Sequence, residues 1–345
     1  MKILHVIFSM LTGGAETMLV DIANEQAARG HDVTVLVVNS GVTEDLVAAF
    51  DPAVAICRFN RREGSMPLLL LARLNLIVLR HHPDPIHLHS HKLAMLLRVF
   101  RRKAIFTVHD INTPMQYSRG MDMAAISSAV KDYVLGKDPG ANIRVIHNGI
   151  LVQAIEPRPA GNESPRTFRI VQVGRLMASK KGQDVLVDAI ARLRSRGIDA
   201  TATFIGDGAD MDMLRRRAAE LGIADHVEFE GARSRAYIYS RLKDFDIMCH
   251  PSRYEGFGLT VAEGMAAGLP LVLPEFDGPW EVAGRGEFCR SFRSGDPEAC
   301  ADALADVIAR YPEALRLAAR AAEYTARKYS VSRMVDEYID YYTSH

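Results

Sequence analysis

Two glutamates in the last third of the sequence are spaced so that both could hold one ligand. They lie in HPSRYEGFGLTVAEGMAAGLP, where seven residues separate Glu255 from Glu263 and glycines follow each carboxylate. The pattern predicts a turn over residues 255–258 and a helix over residues 259–268 that carries Glu263. Small residues let a backbone approach a ligand closely, and the first N–H groups of a helix can bind anionic oxygens. We therefore expect the two carboxylates to meet different parts of one ligand.

Cations precede a second predicted helix. The strand VQVG runs into GRLMASKKG, so Arg175 stands at a strand end and Lys180 and Lys181 come just before Gly182. Positive side chains beside a helix N-terminus suit a diphosphate. A solvated loop of exposed cations would have the same composition, so these residues alone leave both interpretations open.

The elements that must position these side chains alternate between strands and helices in two halves of the chain. The predicted strands are KILHVIF, HDVTVLVVN, PIHLHS and AIFTVHD in the first half, and RIVQVGR, ATATFIGDG, VEFEG, DIMCHPS and LPLVLPE in the second. Strands that alternate with helices predict an α/β fold with parallel, doubly wound sheets. Ligands bind at the carboxyl ends of such strands, which is where both groups of residues fall.

At 345 residues the chain is longer than a single hydrophobic core sustains, so two domains are expected. We predict a Rossmann-like N-terminal domain over residues 1–155 and a second Rossmann-like domain over residues 167–328. The stretch LVQAIEPRPAGNESPR holds three prolines, and residues 156–166 within it are the predicted linker. Residues 329–345 are expected to form a C-terminal helix that packs back toward the N-terminal domain.

Several apolar segments are too short to cross a membrane, since none approaches the roughly 20 residues of a spanning helix. The start, MKILHVIFSML, is expected to be a buried first strand, because His5 and Ser9 interrupt its apolar run. The segment Pro67–Leu79 is predicted to be a buried helix. A further helix is predicted from the apolar residues Leu93, Leu96, Leu97 and Phe100, which recur at helical spacing.

Composition excludes several classes of protein. Lys plus Arg and Asp plus Glu number 42 each, which argues against a chain built for broad nucleic-acid binding. The four cysteines form no CxxC pair, so neither a zinc ribbon nor a disulfide framework is indicated. A reducing compartment fits this cysteine usage best.

Taken together, the motifs resemble the retaining glycosyltransferases of family GT4. The two glutamates match that family's Glu-x7-Glu signature, and Arg175 and Lys181 match its GRL…KG motif. Gly13-Gly14 match its N-terminal glycine loop, and His109 in TVHD matches its cleft histidine. VIHNGI, FIGDGADMDML and VEFEG follow in the family's order. The resemblance implies the GT-B fold, in which two Rossmann-like doubly wound domains face a central cleft.

The resemblance also implies a nucleoside-diphosphate sugar as donor and assigns roles to individual residues. Glu263 would hold the ribose hydroxyls, and Glu255 would lie beside the donor sugar. The catalytic set implied is His109, Glu255, Arg175 and Lys181. The donor-binding set implied is Gly13, Gly14, Arg175, Lys180, Lys181, Gly206, Arg233, Glu255, Gly256, Phe257, Gly258, Leu259, Thr260 and Glu263. Backbone groups of residues 258–260 would hold the diphosphate, while Gly14 and His109 would close the site from the N-terminal domain.

No metal or other cofactor is expected, because fixed cations and a helix N-terminus can stabilise a departing diphosphate, and the nucleotide sugar is a co-substrate. HLHSH places His87, His89 and His91 at period two, which suits a metal site, but we interpret it as a polar wall of the cleft rather than a zinc site. Asp244-Phe245-Asp246 imitates a metal-binding DxD motif, and we interpret it as structural because a strand follows directly.

Arg98, Arg101, Arg102 and Lys103 are predicted to end the helix that begins near Leu93. They either face water near a helix C-terminus or meet anionic lipid headgroups beside a lipid-linked acceptor. The second alternative predicts weak contact with an anionic membrane surface. The protein is expected in the cytoplasm, and the second alternative would place it on the inner face of the cell membrane.

The function predicted is transfer of one sugar to a hydroxyl of a saccharide or lipid-linked acceptor, in envelope polysaccharide or glycoconjugate biosynthesis. One alternative is a GT-B nucleotide-sugar 2-epimerase, which needs no acceptor. Another is a non-catalytic protein that binds a nucleotide sugar. No nucleic-acid partner is expected.

Overall fold

The computed structural model describes residues 1–11, 13–65, 67–97, 103–114, 120–159 and 167–344. The chain divides into two compact units, each with its own core. The first comprises Met1–Ile150 together with Tyr329–His345, and the second comprises Leu151–Lys328. Among the described helices, none combines the length and the apolar character that crossing a membrane requires.

The first unit is a parallel sheet with helical connections. Its strands are β1 (Lys2–Ile7), β2 (Asp32–Asn39), β3 (Ala55–Arg61), β4 (Ile86–Leu88), β5 (Ala104–Val108), β6 (Asp122–Ala125) and β7 (Ile143–Val145). Its helices up to residue 150 are α1 (Gly14–Ala28), α2 (Glu44–Ala48), α3 (Leu68–His81), α4 (Leu93–Leu96) and α5 (Ser128–Lys137). The described strands lie in the order β3-β2-β1-β4-β5-β6-β7. Successive strands therefore add outward from β1 on one side and from β4 on the other.

The second unit repeats this architecture. Its strands are β8 (Phe168–Val173), β9 (Ala200–Ile205), β10 (Val227–Gly231), β11 (Ile247–Cys249), β12 (Leu271–Pro274) and β13 (Arg290–Phe292). Its helices are α6 (Ala178–Lys181), α7 (Gln183–Ser195), α8 (Met211–Glu220), α9 (Arg235–Arg241), α10 (Leu259–Ala266), α11 (Asp277–Val282), α12 (Pro297–Ala309) and α13 (Tyr311–Lys328). The described strands lie in the order β10-β9-β8-β11-β12-β13, so the winding direction reverses between β8 and β11.

The last helix, α14 (Val331–Thr343), belongs to the core of the first unit. Its buried tyrosines Tyr338, Tyr341 and Tyr342 pack with the residues of β1, β2 and α1. The Tyr341 hydroxyl donates to the carbonyl of Met123 in β6 at 3.1 Å. The start of α14 packs closely against Gly149. Only glycine fits there, because a Cβ at residue 149 would lie 2.6 Å from the Cα of Val331.

The segment that enters the second unit is held by polar contacts. Its backbone N–H at Arg158 donates to the carbonyl of Ala267 at 2.9 Å, and the Arg158 guanidinium lies 2.8 Å from the Asp246 carboxylate. Part of the predicted linker, residues 156–159, is therefore attached to the second unit. Residues 160–166 lie outside the described residues.

Two helix predictions are corrected by the structure. The segment from Pro67 is helical, but the prediction that it is buried is wrong, since Leu68 and Leu69 are 84% and 82% exposed. The helix predicted to run from Leu93 to Phe100 ends at Leu96, and the backbone of Leu97 is extended. Residues 98–102, which include three of the four predicted patch cations, lie outside the described residues.

Candidate active site

The predicted chemistry of the second unit gathers where its sheet changes winding direction. Arg175 and Lys181 follow β8, whereas His250 and Glu255 follow β11, and these two strands are hydrogen-bonded neighbours. A crevice outside the carboxyl ends of two such strands is the usual ligand site of a doubly wound sheet. The loops after β8 and β11 therefore form the candidate site of this unit.

The carboxylate of Glu255 is at the centre of this site. Its Oε1 lies 2.7 Å from the Nζ of Lys181, and its Oε2 lies 2.5 Å from the Nε2 of His250. The hydroxyl of Ser252 is 3.3 Å from the same Oε2. Fixed partners on both oxygens leave the carboxylate little freedom to rotate, so the site holds it in one orientation.

The charge state of Glu255 follows from two opposing effects. Burial raises the pKa of Glu255, because water no longer stabilises the carboxylate. The positive charge of Lys181 and the hydrogen bonds from His250 and Lys181 lower it by more, so the pKa of Glu255 lies well below its usual range. The side chain is therefore an anion across the physiological pH range.

His250 is a site residue that the sequence analysis missed. It is 2% exposed, and its ring connects the Glu255 carboxylate to the hydroxyl of Thr260, which lies 3.3 Å from Nδ1. Because a carboxylate only accepts hydrogen bonds, Nε2 carries a proton and donates to Glu255. The only signal in the sequence was its place five residues before Glu255.

Side-chain contacts with backbone carbonyls hold the loop after β8, and a glycine in that loop lets the loop after β11 approach it closely. The side chain of Gln172 donates to the carbonyl of Lys181 at 2.8 Å, and that of Gln183 donates to the carbonyl of Arg175 at 3.0 Å. Gly182 has φ +65°, and a Cβ there would lie 2.0 Å from the carbonyl oxygen of Pro251. Only glycine allows the two loops to approach this closely.

An arginine fixes the loops further. The guanidinium of Arg253 makes a two-point contact with Asp184 at 2.8 and 2.7 Å, and it donates to the carbonyl of Ala178 at 2.6 Å. Two parallel hydrogen bonds between a guanidinium and a carboxylate give a defined geometry. Arg253 therefore links the β11 loop to helices α6 and α7, beside Lys181.

Helix α10 begins at the predicted turn and carries the second glutamate. Gly258 caps it with φ +93°, and Thr260 and Glu263 lie within its first two turns. The hydroxyl of Tyr239 is 3.2 Å from Oε1 of Glu263. The structure thus gives the two glutamates different partners: Glu255 is held by Lys181 and His250, and Glu263 is held by Tyr239.

The other predicted donor residues of this unit lie on adjacent strand ends. Gly206 follows β9, its N–H donates to the carbonyl of Gly231 at 2.9 Å, and a Cβ there would lie 2.0 Å from the carbonyl oxygen of Gly174. The guanidinium of Arg233 lies over the ring of Tyr237 at 5.1 Å. The ammonium of Lys180 lies over the ring of Tyr254 at 4.9 Å.

In the first unit the predicted residues follow strands at, or one strand away from, the switch point between β1 and β4. Gly13 caps α1 after β1, and His109 follows β5, one strand beyond β4. Burial lowers the pKa of His109 to about 4, so its imidazole is neutral at pH 7. Its ring stacks on that of His89, with centroids 5.7 Å apart.

Of the three histidines predicted to form a polar wall, His87 and His89 are instead part of the core, at 0% and 6% exposed, whereas His91 is half-buried. With His5 they bring ring nitrogens within 4.8 Å of one another, which is metal-site spacing. Of the ring nitrogens of these three histidines, all except Nδ1 of His89 have a hydrogen-bond partner. Nδ1 of His5 is 3.0 Å from Nε2 of His89, and both nitrogens of His87 contact hydroxyls, those of Tyr342 at 2.7 Å and Thr107 at 2.6 Å. The geometry therefore describes a hydrogen-bonded histidine core.

The aspartates of the DxD sequence bind arginines. Asp246 is 1% exposed and contacts Arg158 at 2.8 Å and the backbone N–H of Arg169 at 2.8 Å. Asp244 contacts Arg241 at 2.6 Å. These pairs link the entry segment, β8 and α9, as a structural role requires.

Comparison with known proteins identifies the class. Residues 12–153 match the family described as Glycosyltransferase Family 4, and residues 155–325 match Glycosyl transferases group 1. The chain is 25% identical to the lipopolysaccharide core biosynthesis glycosyltransferase LpsE of Rhizobium meliloti, covering 98% of each chain. It is 26% identical to the phosphatidyl-myo-inositol mannosyltransferase of Mycobacterium leprae, covering 96% of this chain and 92% of the relative.

Solved structures agree on the fold. The structure of Anabaena HepE in complex with UDP and glucose superposes with a TM-score of 0.84, at 23% identity over 100% of each chain. WaaG, a glycosyltransferase involved in lipopolysaccharide biosynthesis, superposes with a TM-score of 0.77, at 15% identity over 99% of this chain and 100% of that one. The two parallel-sheet units thus have the GT-B architecture. The chain belongs to glycosyltransferase family 4, and is an enzyme that transfers glycosyl groups. The relatives favour neither an epimerase nor a non-catalytic binding protein.

Proposed function

We propose that this protein is a retaining glycosyltransferase that moves a sugar from a nucleoside-diphosphate sugar to a hydroxyl of a saccharide or lipid-linked acceptor. The observation that carries the proposal is the Glu255 carboxylate, held between Lys181 and His250 at the switch point of the second sheet. The names of the relatives support a role in envelope polysaccharide or glycoconjugate biosynthesis, since LpsE acts in lipopolysaccharide core synthesis.

The proposed division of labour follows the chemistry of each group. Arg175, Lys181 and the first N–H groups of α10 would hold the diphosphate, because they supply positive charge at one edge of the sheet. Glu263 would accept hydrogen bonds from ribose hydroxyls, and Glu255 would lie beside the sugar ring. Gly14 and His109 of the first unit are assigned to the same reaction by the family resemblance.

The proposal requires no metal ion. As the glycosidic bond breaks, negative charge grows on the leaving diphosphate, and preorganised cations stabilise that charge most where water is scarce. Lys181 suits this task because its side chain is only 17% exposed.

A cytoplasmic location is part of the proposal. The Sγ atoms of Cys249 and Cys300 lie 3.8 Å apart as thiols, which suits a reducing compartment. The lipid-linked alternative for the acceptor would place the enzyme at the inner face of the membrane, in weak contact with anionic lipid. Of the predicted basic patch, only Lys103 is among the described residues, and it is exposed.

The test has two stages. Thermal unfolding against a panel of UDP-, GDP- and ADP-sugars should show one nucleotide class raising the melting temperature, because a ligand that binds only the folded state stabilises it by mass action. NMR of the reaction with that donor should then show a product with the donor's anomeric configuration. Epimerised donor formed without an acceptor, or binding without any turnover on extracts of envelope glycolipid, would contradict the proposal.

A further inference from the structure

Helix α3 turns an apolar face to solvent. Its exposed leucines are Leu68, Leu69, Leu76 and Leu79, at 84%, 82%, 43% and 42%. By contrast, Leu74 and Val78 of the same helix are 1% and 0% exposed. A helix that is apolar on all sides is usually buried on all sides, so an outward row of leucines requires an explanation.

The exposed residues fall on one continuous stripe. At 3.6 residues per turn, Leu69, Leu76 and Leu79 lie on the same side of the helix as Leu68 and the exposed Ala72. The buried Leu74 and Val78 lie on the opposite side. Two layers of apolar side chains thus point in opposite directions from one helix, and only one of them faces the core of the first unit.

Positive charge borders this stripe. The exposed Arg73 and Arg80 lie along one flank of it, and α3 contains no Asp or Glu. Arg62, also exposed, stands five residues before Pro67, where the helix is capped. Leucines on one face with arginines at its border are the composition of a helix that lies in the interface of an anionic bilayer.

The helix is fixed on its unit, so the stripe is a preformed surface. The Asn75 side chain donates to the carbonyl of Leu96 in α4 at 2.8 Å. The guanidinium of Arg73 lies 5.9 Å from the ring centroid of Phe59 in β3, and thus stays at the border of the stripe. These contacts hold α3 while leaving the leucines outward.

The exposed end of α3 lies toward the carboxyl edge of the first sheet. Arg61, the last residue of β3, donates to the carbonyl of Ser65, and its guanidinium lies 5.3 Å from the ring centroid of Phe8, which follows β1. Leu68 and Leu69 therefore begin the helix near the edge at which Gly13 and His109 also follow their strands.

We propose that α3 is the surface through which the first unit docks on an anionic phospholipid bilayer, with the leucine stripe inserted among the acyl-chain ends and Arg73 and Arg80 among the headgroups. This adds a specific lipid-binding surface to the proposed function, and it uses residues other than the basic patch predicted from the sequence. A second copy of the chain fits the same stripe less well. Two α3 helices packed together would bring four arginines into one interface without an acidic partner on either helix.

The test is sedimentation of the full chain with vesicles of phosphatidylcholine, with and without an equal share of phosphatidylglycerol. The wild-type protein should bind the anionic vesicles, and molar salt should weaken the binding because the Debye length then falls to about 3 Å. Leu69→Glu/Leu76→Glu and, separately, Arg73→Glu/Arg80→Glu should each lower vesicle affinity about tenfold or more.

Matched controls use exposed residues of the second unit. Leu151→Glu/Leu221→Glu repeats the apolar-to-acidic change, and Arg216→Glu/Arg316→Glu repeats the change in net charge. Both controls should bind vesicles as the wild type does. Circular dichroism should show that all four variants are folded, and their affinity for the nucleotide donor should not change. Because vesicle binding is measured without sugar transfer, it can fail while the proposed enzyme activity stands.

Three results would overturn the inference. They are a wild-type protein that ignores anionic vesicles at low salt, leucine variants that bind as tightly as the wild type, and controls that lose binding as much as the α3 variants. A wild-type dimer in solution that Leu69→Glu/Leu76→Glu converts to monomers would assign the stripe to a second copy instead.

Discussion

The Nζ of Lys181 lies 2.7 Å from Oε1 of Glu255, although the two residues are 74 positions apart in sequence. Their side chains are 17% and 18% exposed, so the pair is screened less than a surface ion pair would be. The diphosphate proposed to bind Lys181 would share that ammonium with Glu255. This pairing therefore joins the group proposed to bind the leaving diphosphate to the group proposed to meet the sugar.

Removing the cation should harm transfer more than folding. Lys181→Ala and Arg175→Ala should each cost about 2–4 kcal/mol of transition-state stabilisation, similar to the loss of one oxyanion-hole donor. Steady-state kcat/KM gives this free energy directly. Lys243→Ala removes a partly exposed lysine that pairs with Glu156 in the same unit, and it should leave kcat/KM unchanged. Equal losses in Lys181→Ala and Lys243→Ala would contradict the assignment.

The two glutamates should fail in different ways. Glu263 is proposed to bind ribose hydroxyls, which are the same in the ground and transition states. Glu263→Ala should therefore weaken binding of the donor and of the free nucleoside diphosphate alike, by about 1.5–3 kcal/mol. Glu255→Gln should lower kcat with little change in nucleotide affinity, because its contact with the sugar strengthens as positive charge develops.

Isothermal titration with the free nucleotide, paired with kinetics, separates these outcomes. Loss of nucleotide binding in Glu255→Gln, together with intact binding in Glu263→Ala, would show that the two roles are reversed.

His250 should act as a positioning residue for Glu255. His250→Ala should lower kcat. The increase in activation free energy should be about 1.5–3 kcal/mol, the value of a hydrogen bond to a charged group. The substitution should also raise the pKa of Glu255, since one of the groups that lower it is gone. A carboxylate required as an anion would then be protonated at a higher pH, so the acidic limb of the pH–rate profile should move upward.

His250→Gln offers a control, because its amide can still place an N–H near the carboxylate. It should recover part of the rate and return the acidic limb toward its wild-type position. If both variants lose rate equally and the pH profile stays where it was, the effect of His250 is only on packing.

The sequence predicted the strands and loops that carry the site, because strand ends and glycine turns are local features. It predicted Glu255, Lys181 and their loops, but not that the two side chains touch, since that contact depends on the pairing of β8 with β11. His250 was missed for the same reason: its partner is reached only when the loop after β11 folds back. Short strands such as β6 and β13 were missed because three or four residues carry little periodic signal.

The error on α3 has a different cause. An apolar run with one arginine and one asparagine in Pro67–Leu79 looks like a core helix, because hydrophobicity alone does not tell which faces have neighbours. The structure supplies that information: Leu74 and Val78 of the helix are buried, whereas its leucine stripe is exposed.

Transfer should not require a divalent metal. The positive charge proposed for the leaving diphosphate comes from Arg175, Lys181 and the N-terminus of α10, so treatment with EDTA should leave the initial rate unchanged. Addition of manganese or magnesium after dialysis should give no increase. A rate abolished by EDTA and restored by manganese would contradict this prediction.

Acid should destabilise the first unit before the second. Burial lowers the pKa of His5 from its usual 6.5 to about 4, while the hydrogen bond with Gln26 acts in the opposite direction. Burial also holds the pKa values of His87 and His89 well below their usual range. Between pH 6.5 and 4 the unfolded chain therefore binds more protons than the folded one, so the free energy of unfolding falls as the pH falls through that window. His5 alone accounts for about 3 kcal/mol across it, and the contribution of these histidines should not change above pH 7. The only tryptophan, Trp280, reports on the second unit. In titrations from pH 7.5 to 4.5, circular dichroism should lose amplitude before Trp280 fluorescence changes.

His5→Gln should lower stability at pH 7 but reduce its dependence on pH, while His226→Gln in the second unit should leave that dependence as it is. Coincident transitions by both probes, with the same pH dependence in His5→Gln, would show that the histidine core is not what makes the protein sensitive to acid.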